Sequence, residues 1–382
     1  MSNFDFDRVI DRRDTGSMKW ERYRGRDIIP LWVADMDFAS PPAVLEALRE
    51  RIHNGVFGYS EAPRGVVAAV CERLAERHGW TIAPDWLVWL PGLVTGINVA
   101  CRTAGERGDA ILTTTPVYHP FLSAPDYAER QLLRVPLLAD GGSWCHDFDA
   151  LEAAITPRCK MLLLCSPHNP CARVWRDDEL QGLAELAERH DLIVCSDEIH
   201  CDLVLDPNLR HRSTATLGDA IARRSITLLA ASKTFNLPGL GCAYAVIPDA
   251  GIRARFRAAA AGIVPHVNAL GYAATEAAYR FGEPWRLELI DYLRGNLARL
   301  HEALATEPRA RLSRVEATYL AWLDLRAYAI DQPREYFEAA GLGLYGGDTF
   351  GLAGYVRLNF ATPRAIWDEA LLRLRRALAS AA

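Results

Sequence analysis

Lys233 is the residue of this sequence whose type and setting are best suited to covalent chemistry. It follows a short apolar run at 226–230, within the stretch LLAASKTFNLPGL that spans 228–240. A lysine amine that is partly desolvated loses its charge more readily, and the neutral amine forms Schiff bases with carbonyl groups. Most lysines are solvated surface cations. The function of Lys233 therefore depends on what the rest of the chain places beside it.

Several other residues with hydrogen-bonding or aromatic side chains also follow short apolar runs. They are Tyr118 in PVYHP, Asn169 in SPHNP, Asp197 and His200 in SDEIH, and Ser232 beside the lysine. A further run is followed by the glycine turn PGLVTG, which opens a helix whose free N–H groups and positive dipole end can bind a phosphate. Taken singly, each pattern is more typical of a helix cap, a turn or a packed side chain.

The apolar runs themselves predict the elements that must position these side chains. Seven runs have the composition of buried strands: 86–90, 110–114, 132–137, 160–166, 192–196, 226–230 and 244–247. Helical patterns are present at 41–53, 64–79, 93–103, 177–190, 252–261, 284–306 and 363–380. Strands that are apolar throughout and alternate with helices indicate a mostly parallel sheet covered by helices on both faces.

This alternation predicts an α/β protein with two domains. We expect a large domain at 45–285 that contains the mostly parallel seven-stranded sheet, and a smaller α+β domain at 286–382. The polar arm at 1–44 is expected to pack with the small domain. Ligands of open α/β sheets bind outside the carboxyl ends of the strands, so the polar residues that follow the strands are expected to meet at one rim.

Composition and charge argue against several other classes of protein. The 382 residues carry a formal net charge of −5 with scattered signs, which disfavours a nucleic-acid or anionic-membrane surface. No apolar run approaches the roughly 20 residues of a membrane span, and the polar N-terminus is unlike a signal peptide. Nine cysteines without a Cys-x-x-Cys pair indicate reduced thiols in a cytoplasmic protein. Cys195, His200 and Cys201 have no second ligand cluster, so we expect no metal site.

Together the polar residues supply the parts that one cofactor requires. Pyridoxal 5'-phosphate needs a phosphate site, an aromatic ring for stacking and a carboxylate at its pyridine nitrogen. It also needs a donor to its phenolic oxygen and a lysine for a Schiff base. The glycine turn, Tyr118, Asp197, Asn169 and Lys233 provide these five parts in a workable order. We therefore expect this cofactor at the rim of the sheet.

Three longer motifs carry a resemblance to a known family. PLWVADMDF at 30–38, SDEIHCDL at 196–203 and SKTFNLPGL at 232–240 resemble segments of fold-type I pyridoxal-phosphate enzymes, the aminotransferase class I/II superfamily. Within it, the same motifs are most similar to the carbon–sulfur β-lyases of the MalY/PatB type, also called cystathionine β-lyases. The similarity extends from Leu31 to Phe360, which is nearly the whole chain.

The resemblance implies roles around the cofactor ring. Lys233 would form the Schiff base and later move the Cα proton of the substrate. Asp197 would pair with the ring nitrogen and keep it protonated. The remaining ring contacts would be Tyr118 on one face, Ile199 on the other, and Asn169 and His200 at the phenolic oxygen.

The resemblance also implies how the phosphate and the substrate are bound. The N–H groups of Leu93 and Val94, with the hydroxyl of Ser232, would hold the phosphate. The remaining groups would bind substrate: Arg357 its α-carboxylate, and the backbone at Ala34 and Asp35 as a lid. Tyr59 would reach the phosphate or the lysine of a neighbouring subunit, so a homodimer with shared active sites is expected. Without the resemblance, Arg357 would be interpreted as a surface arginine on a strand.

Two positions depart from the family pattern. Ala172 stands where a glycine usually follows Asn-Pro-x, so we expect the loop to run differently there. Ala230 stands where many relatives place a hydroxyl on the phosphate, so the phosphate site is expected to depend more on Ser232 and the helix N-terminus.

The activity that the resemblance implies is β-elimination from cystathionine or a related S-substituted L-cysteine, which yields pyruvate, ammonia and a thiol. His200, at a position where most transaminases carry tyrosine, and the WVADMD segment favour this lyase. The alternative is a class I/II aminotransferase that uses the same residues and requires an acceptor keto acid. A regulatory protein on a lyase scaffold is a third possibility, disfavoured by the full set of cofactor residues.

Overall fold

The computed structural model describes residues 4–381. Its strands are β1 (Ile29–Pro30), β2 (Leu87–Leu90), β3 (Ala110–Thr115), β4 (Gln131–Pro136), β5 (Leu138–Asp140), β6 (Ser143–Cys145), β7 (Cys159–Cys165), β8 (Ile193–Asp197), β9 (Ser225–Leu229), β10 (Ala243–Val246), β11 (Arg311–Leu312), β12 (Leu320–Asp324), β13 (Leu342–Gly343), β14 (Tyr345–Gly346) and β15 (Tyr355–Asn359). Its helices are α1 (Met18–Glu21), α2 (Pro42–His53), α3 (Arg64–His78), α4 (Leu93–Thr103), α5 (Pro120–Tyr127), α6 (Phe148–Ala154), α7 (Asp177–Arg189), α8 (Asp219–Ala222), α9 (Ala250–Ala260), α10 (Ala269–Phe281), α11 (Glu283–Leu304), α12 (Pro333–Ala339) and α13 (Arg364–Ser380).

The central sheet contains the seven strands that the apolar runs predict, in the order β2-β10-β9-β8-β7-β3-β4. The pairs from β9 to β4 are parallel, whereas β10 is antiparallel to both β9 and β2. The prediction of a mostly parallel seven-stranded sheet is therefore confirmed. Reversal of β10 leaves β2 parallel to β9, so the carboxyl ends of β2, β3, β7, β8 and β9 lie along the same edge.

Both faces of this sheet are covered, which explains why its strands are apolar throughout. Ile111 of β3 belongs to a core with Ile97 of α4 and Phe256 of α9. Its neighbour Leu112 belongs to a separate core with Leu180 of α7. Because side chains alternate along a strand, one run of apolar residues fills both cores.

A second sheet, in the order β11-β12-β15-β14, forms with the C-terminal part of the chain. Helices α11 and α13 pack on it around the fully buried Trp367. The N-terminal arm joins this part: β1 pairs parallel with β13, and the N–H of Asn359 donates to the carbonyl of Leu31 at 2.9 Å. Helix α11 is continuous from Glu283 to Leu304. The domain boundaries at 44/45 and 285/286 stay a prediction.

The predicted helices correspond to α2, α3, α4, α7, α9, α11 and α13. Helix α10 has no counterpart among the sequence-based helices. The buried face of its sequence, ALGYAATEAAYRF, consists of Tyr272, Thr275 and small residues such as Gly271 and Ala274, so it lacks the large aliphatic side chains that mark a helical apolar pattern. Among residues 4–381, none of the helices has the length and apolar character that crossing a membrane requires.

Three buried imidazoles make the stability of the protein depend on pH. Burial lowers the pKa of His146 to about 3, of His168 to about 4 and of His200 to about 3. Each of these values lies below the unfolded pKa near 6.5, so the unfolded state binds more protons as the pH falls below about 6.5. The stabilising contribution of the three groups is complete above that pH and is lost as the pH falls. Burial raises the pKa of Asp197 to about 7, so its protonation in the folded state offsets one imidazole.

We therefore expect the free energy of unfolding of the cofactor-free protein to fall by about 2–3 kcal/mol per pH unit between pH 6 and 5. The His146→Phe variant is expected to show about half this dependence, because it removes one of the imidazoles that gain a proton on unfolding. Phenylalanine suits the site, since neither ring nitrogen of His146 has a partner among residues 4–381 and the ring centroid lies 4.0 Å from that of Trp175. Urea unfolding at several pH values measures the slope, with the exposed His301→Phe as the control. A slope in His146→Phe equal to that of the wild type would contradict the assignment of this pH dependence to the buried imidazoles.

Candidate active site

The carboxyl ends of the central strands open into a cavity of about 450 Å³. The structure brings most of the predicted site residues together in its wall. They are Ala34, Leu93, Val94, Tyr118, Asn169, Asp197, Ile199, His200, Ser232, Lys233 and Arg357. Strands β3, β7, β8 and β9 each end within four residues of one of them. Arg357 comes from β15 of the second sheet, so the cavity lies between the two sheets.

Lys233 lines this cavity and is partly buried. Its Nζ donates to the carbonyl of Ala34 at 2.6 Å. Burial lowers the pKa of Lys233 to about 8; Asp35 and Asp197 oppose the shift, and Arg357 adds to it. An amine with this pKa is readily deprotonated near neutral pH, so it has the properties of a nucleophile and of a base.

Asp197 ends β8 and is 4 % exposed. Its Oδ1 accepts the N–H of Ile199 at 3.1 Å, and its carboxylate makes no ion pair with any residue of 4–381. The pKa of about 7 results chiefly from burial, which disfavours the charged form. A buried carboxyl group without a cationic partner is suited to hold the protonated nitrogen of a heterocyclic ring.

Arg357 is a buried cation for which residues 4–381 provide no carboxylate partner. It is 2 % exposed, so the interpretation as a surface arginine is wrong. Its Nη1 donates to Oδ1 of Asn169 at 3.0 Å and its Nη2 to the carbonyl of Trp32 at 2.7 Å, while its Nε has no partner within the described part of the chain. Burial lowers the pKa of Arg357 to about 10. A guanidinium group held this way is suited to bind a carboxylate that enters the cavity.

The opposite side of the cavity has the features of a phosphate site. Helix α4 begins at Leu93, and no side chain caps its first turn. Leu93, Val94 and Ser232 line the cavity there, so backbone N–H groups and a hydroxyl are available to an anion. Ala230, by contrast, is buried in the core with α4 and does not line the cavity.

The unpaired polar atoms of the site and its aromatic and aliphatic side chains indicate which cofactor it can hold. Nε of Arg357 and Nδ1 of His200 are buried in the cavity wall with no partner among residues 4–381. Tyr118 and Ile199 both line the cavity and supply a ring and an aliphatic face. A planar group that carries a phosphate, a phenolic oxygen and a ring nitrogen matches this donor set. The residues present therefore fit pyridoxal phosphate.

Asp35 and Tyr59 are the predicted site residues that do not line the cavity. The carboxylate of Asp35 pairs with Arg12 at 2.7 Å, and the carbonyl of Asp35 accepts the side-chain amide of Asn359 at 2.6 Å. Tyr59 is fully exposed and lies beside a different surface cavity, which His266 also lines. Its predicted contact with a neighbouring subunit stays a prediction.

Three aromatic residues that line the cavity were not among the predicted site residues: Trp32, His119 and Tyr345. Trp32 lies inside the quoted motif PLWVADMDF, and His119 directly follows Tyr118, so both positions had a local signal. Tyr345 had none, because it reaches the cavity only through the pairing of β14 with β15.

The loop at Ala172 keeps the backbone turn that glycine favours. Ala172 has a φ of 57°, which lies in the left-handed region. It is fully buried, and its carbonyl accepts the N–H groups of Glu316 and Ala317, each at 3.0 Å. Alanine therefore adopts the left-handed conformation itself, held by surrounding contacts, at a cost of about 1–2 kcal/mol.

Residues 26–374 match the model of the aminotransferase class I and II family, and the chain belongs to that family. Within it, the chain is 37% identical over 385 residues to cystathionine beta-lyase PatB of Bacillus subtilis, covering 98% of this chain and 99% of PatB. The structure of OvoB superimposes with a TM-score of 0.97 at 45% identity, covering 99% of this chain and all of OvoB. The pyridoxal-phosphate-bound C-S lyase from Staphylococcus hominis superimposes with a TM-score of 0.92 at 33% identity, covering 99% of both chains.

Proposed function

We propose that this protein is a pyridoxal-phosphate-dependent carbon–sulfur β-lyase. Its substrate is cystathionine or a related S-substituted L-cysteine, and its products are pyruvate, ammonia and a thiol. The observation that carries the proposal is the convergence of Lys233, Asp197 and Arg357 in one cavity. These three groups suit an amino-acid substrate, because they offer a base, a partner for a ring nitrogen and a partner for an α-carboxylate. The full-length similarity to carbon–sulfur lyases supports the reaction type.

The chain contributes binding, orientation and proton transfer. Bound pyridoxal phosphate supplies an electron sink for the bond that breaks at Cα. Lys233 removes the Cα proton with its neutral Nζ, which its lowered pKa favours. Asp197 holds a proton at the ring nitrogen of the cofactor, and Arg357 binds the α-carboxylate as a two-pronged donor. By binding the α-carboxylate, Arg357 orients the substrate and thereby sets the direction of the substrate's Cα–H bond relative to Lys233.

Other residues of the cavity are assigned to binding the cofactor. Tyr118 and Ile199 line the cavity and would hold the ring of the cofactor between them. Oδ1 of Asn169 is taken by Arg357, which leaves the amide N–H group of Asn169 for the phenolic oxygen beside His200. The N–H groups of Leu93 and Val94, with the hydroxyl of Ser232, bind the phosphate. The carbonyl of Ala34, which now accepts from Lys233, contributes to the substrate side of the site.

We also propose a homodimer with shared active sites. Val56, Phe57 and Tyr59 form an exposed apolar segment, with 66%, 60% and 102% of their surface accessible. Such a segment is suited to a subunit interface. Light scattering of the purified protein measures the assembly; a monomer that retains full activity contradicts this part of the proposal. The cytoplasmic location stays a prediction from the cysteine pattern.

The reaction is tested by its products. We expect the cofactor-loaded protein to release pyruvate from S-substituted cysteines or cystathionine without any acceptor keto acid. An aminotransferase would instead require the acceptor and release no thiol. A regulatory protein on this scaffold would release no pyruvate and need not retain the cofactor. Pyruvate, thiol and amino transfer measured in parallel distinguish the three outcomes.

A further inference from the structure

One end of the cavity has aromatic walls that the proposed reaction does not use. We call it the aromatic end and define it by Trp32, His119 and Tyr345, which all line the cavity. The rings of Trp32 and Tyr345 meet edge to face with centroids 5.3 Å apart, and the centroids of His119 and Tyr345 are 6.2 Å apart. Met18, 67% exposed, also lines the cavity and adds a flexible apolar side chain.

The aromatic end adjoins the place where the substrate is held. The guanidinium carbon of Arg357 lies 5.1 Å from the ring centroid of Tyr345, and its Nη2 donates to the carbonyl of Trp32. The ring of His119 lies 4.8 Å from that of Tyr118. A substrate whose α-carboxylate binds Arg357 and whose Cα faces Lys233 therefore has the aromatic end within reach of its sulfur substituent.

The aromatic end offers no charged side chain to this substituent. Within residues 4–381, the acidic, lysine and arginine side chains of the cavity wall are Asp197, Lys233 and Arg357, and the proposed function already engages each of them. The guanidinium carbon of Arg22 lies 4.5 Å from the ring centroid of Trp32, but Arg22 is not part of the cavity wall. Its Nη2 forms an ion pair with Glu338 at 3.8 Å. A substituent that ends in an ammonium and a carboxylate, as in cystathionine, would lose its hydration there without gaining an ion pair from this chain.

His119 supplies the aromatic end with a buried ring nitrogen, Nδ1, that has no hydrogen-bond partner among residues 4–381. Burial, together with the nearby Arg357, lowers the pKa of His119, so the imidazole is neutral at neutral pH and keeps one N–H donor and one acceptor. A ligand atom in the cavity is what would satisfy such a nitrogen.

We propose that the aromatic end selects substrates whose sulfur carries an uncharged planar ring with a hydrogen-bonding atom, and that His119 recognises this atom. The inference rests on the proposed function, because it assumes that Arg357 and Lys233 orient an S-substituted cysteine. Flat aromatic walls stack on a planar ring, and a neutral imidazole exchanges a hydrogen bond with a ring heteroatom. His119 is thus a specificity-determining residue, and among the substrates of the proposed function a cysteine with a ring on its sulfur is preferred over cystathionine.

The test compares S-(4-pyridylmethyl)-L-cysteine, S-benzyl-L-cysteine and cystathionine. The first two have the same shape and differ only in a ring nitrogen. For the wild type we expect kcat/KM for pyruvate release to be at least about tenfold higher with either ring substrate than with cystathionine, because cystathionine buries unpaired charges. The pyridyl compound is expected to exceed the benzyl compound by about threefold to tenfold, the effect of one hydrogen bond.

Variants of His119 test the recognition itself. The ratio of the pyridyl to the benzyl compound is expected to fall to about one in His119→Phe and to persist in His119→Gln, which keeps an N–H donor. The exposed His301→Phe serves as the matched control and is expected to leave the ratio unchanged. A ratio unaffected in His119→Phe overturns the assignment of His119. Cystathionine turned over as efficiently as the ring compounds overturns the proposed substrate class.

The two proposals fail in different ways. If no substrate yields pyruvate, the proposed function is wrong. Calorimetric binding of the pyridyl and benzyl compounds to the cofactor-loaded wild-type protein then decides the inference independently. A roughly threefold to tenfold higher affinity for the pyridyl than for the benzyl compound, which His119→Phe abolishes, supports the aromatic end as the binding site of the ring. Equal affinities overturn the inference.

Discussion

Replacing Lys233 by alanine is expected to lower kcat for pyruvate release by about 10³- to 10⁴-fold, the largest effect of any single substitution in this chain. The variant loses both the covalent anchor of the cofactor and the base that removes the Cα proton. Its folding is expected to change little, because among residues 4–381 the Nζ of Lys233 donates a hydrogen bond to the carbonyl of Ala34 alone, and burial lowers its pKa to about 8. Pyruvate release is measured with a coupled dehydrogenase, and folding by circular dichroism.

The chain offers an unusually clear control for this prediction, because Lys19, Lys160 and Lys233 are its three lysines. Lys19 is buried and pairs with Asp37 at 2.8 Å, whereas Lys160 donates to a backbone carbonyl at the far side of the protein. Lys160→Ala is therefore expected to retain full activity. Borohydride reduction of the cofactor-loaded protein, followed by peptide mass analysis, is expected to place the cofactor on Lys233. A label on Lys19 or Lys160 would refute the assignment.

Replacing Arg357 by methionine is expected to reduce kcat/KM by about 10²- to 10³-fold, mainly through a higher KM. The guanidinium binds the α-carboxylate in both the ground state and the transition state, so its loss weakens binding more than it slows the chemical step. Stability is expected to stay within about 1 kcal/mol of the wild type. The substitution removes the free-energy cost of burying this charge, and that gain offsets the loss of the hydrogen bonds to Asn169 and Trp32.

A second substitution at this position separates the effect of charge from the effect of geometry. Arg357→Lys keeps a positive charge but loses the fork of donors, so it is expected to recover less than about tenfold of the lost kcat/KM. Arg326→Met removes an exposed arginine just beyond β12 that pairs with Asp324 at 2.7 Å; it is the matched control and is expected to retain full activity. A normal KM in Arg357→Met, or a loss of stability that accounts for the lost activity, would contradict the role of Arg357.

The strands of the central sheet were predictable because the information for them is local. Each strand is covered on both faces, so its residues are apolar throughout and its limits are set by adjacent turns. The direction of β10 was not predictable in the same way. An apolar run has the same composition whether its strand is parallel or antiparallel, and the pairing of Tyr244 with Leu229 depends on where the chain returns.

The N-terminal motif shows where local information stops. PLWVADMDF marks a segment of the site, yet Ala34 and Asp35 have different environments although they are adjacent. The carbonyl of Ala34 accepts from Lys233, 199 residues away, whereas the carboxylate of Asp35 pairs with Arg12. Which group of a motif faces the cavity depends on partners that are distant in sequence.

The sequence was therefore sufficient to predict the sheet, the cofactor and the order of the polar residues that follow the strands. Each strand and the polar residues after it form one short, continuous segment, so the pattern is local. The tertiary structure alone decided that Arg357 is buried with no carboxylate partner among residues 4–381, since Trp32 and Asn169 bind it from distant parts of the chain. It also decided that His119 and Tyr345 share one wall of the cavity. Burial and the pairing of polar groups are set by contacts between remote segments, and no local pattern specifies them.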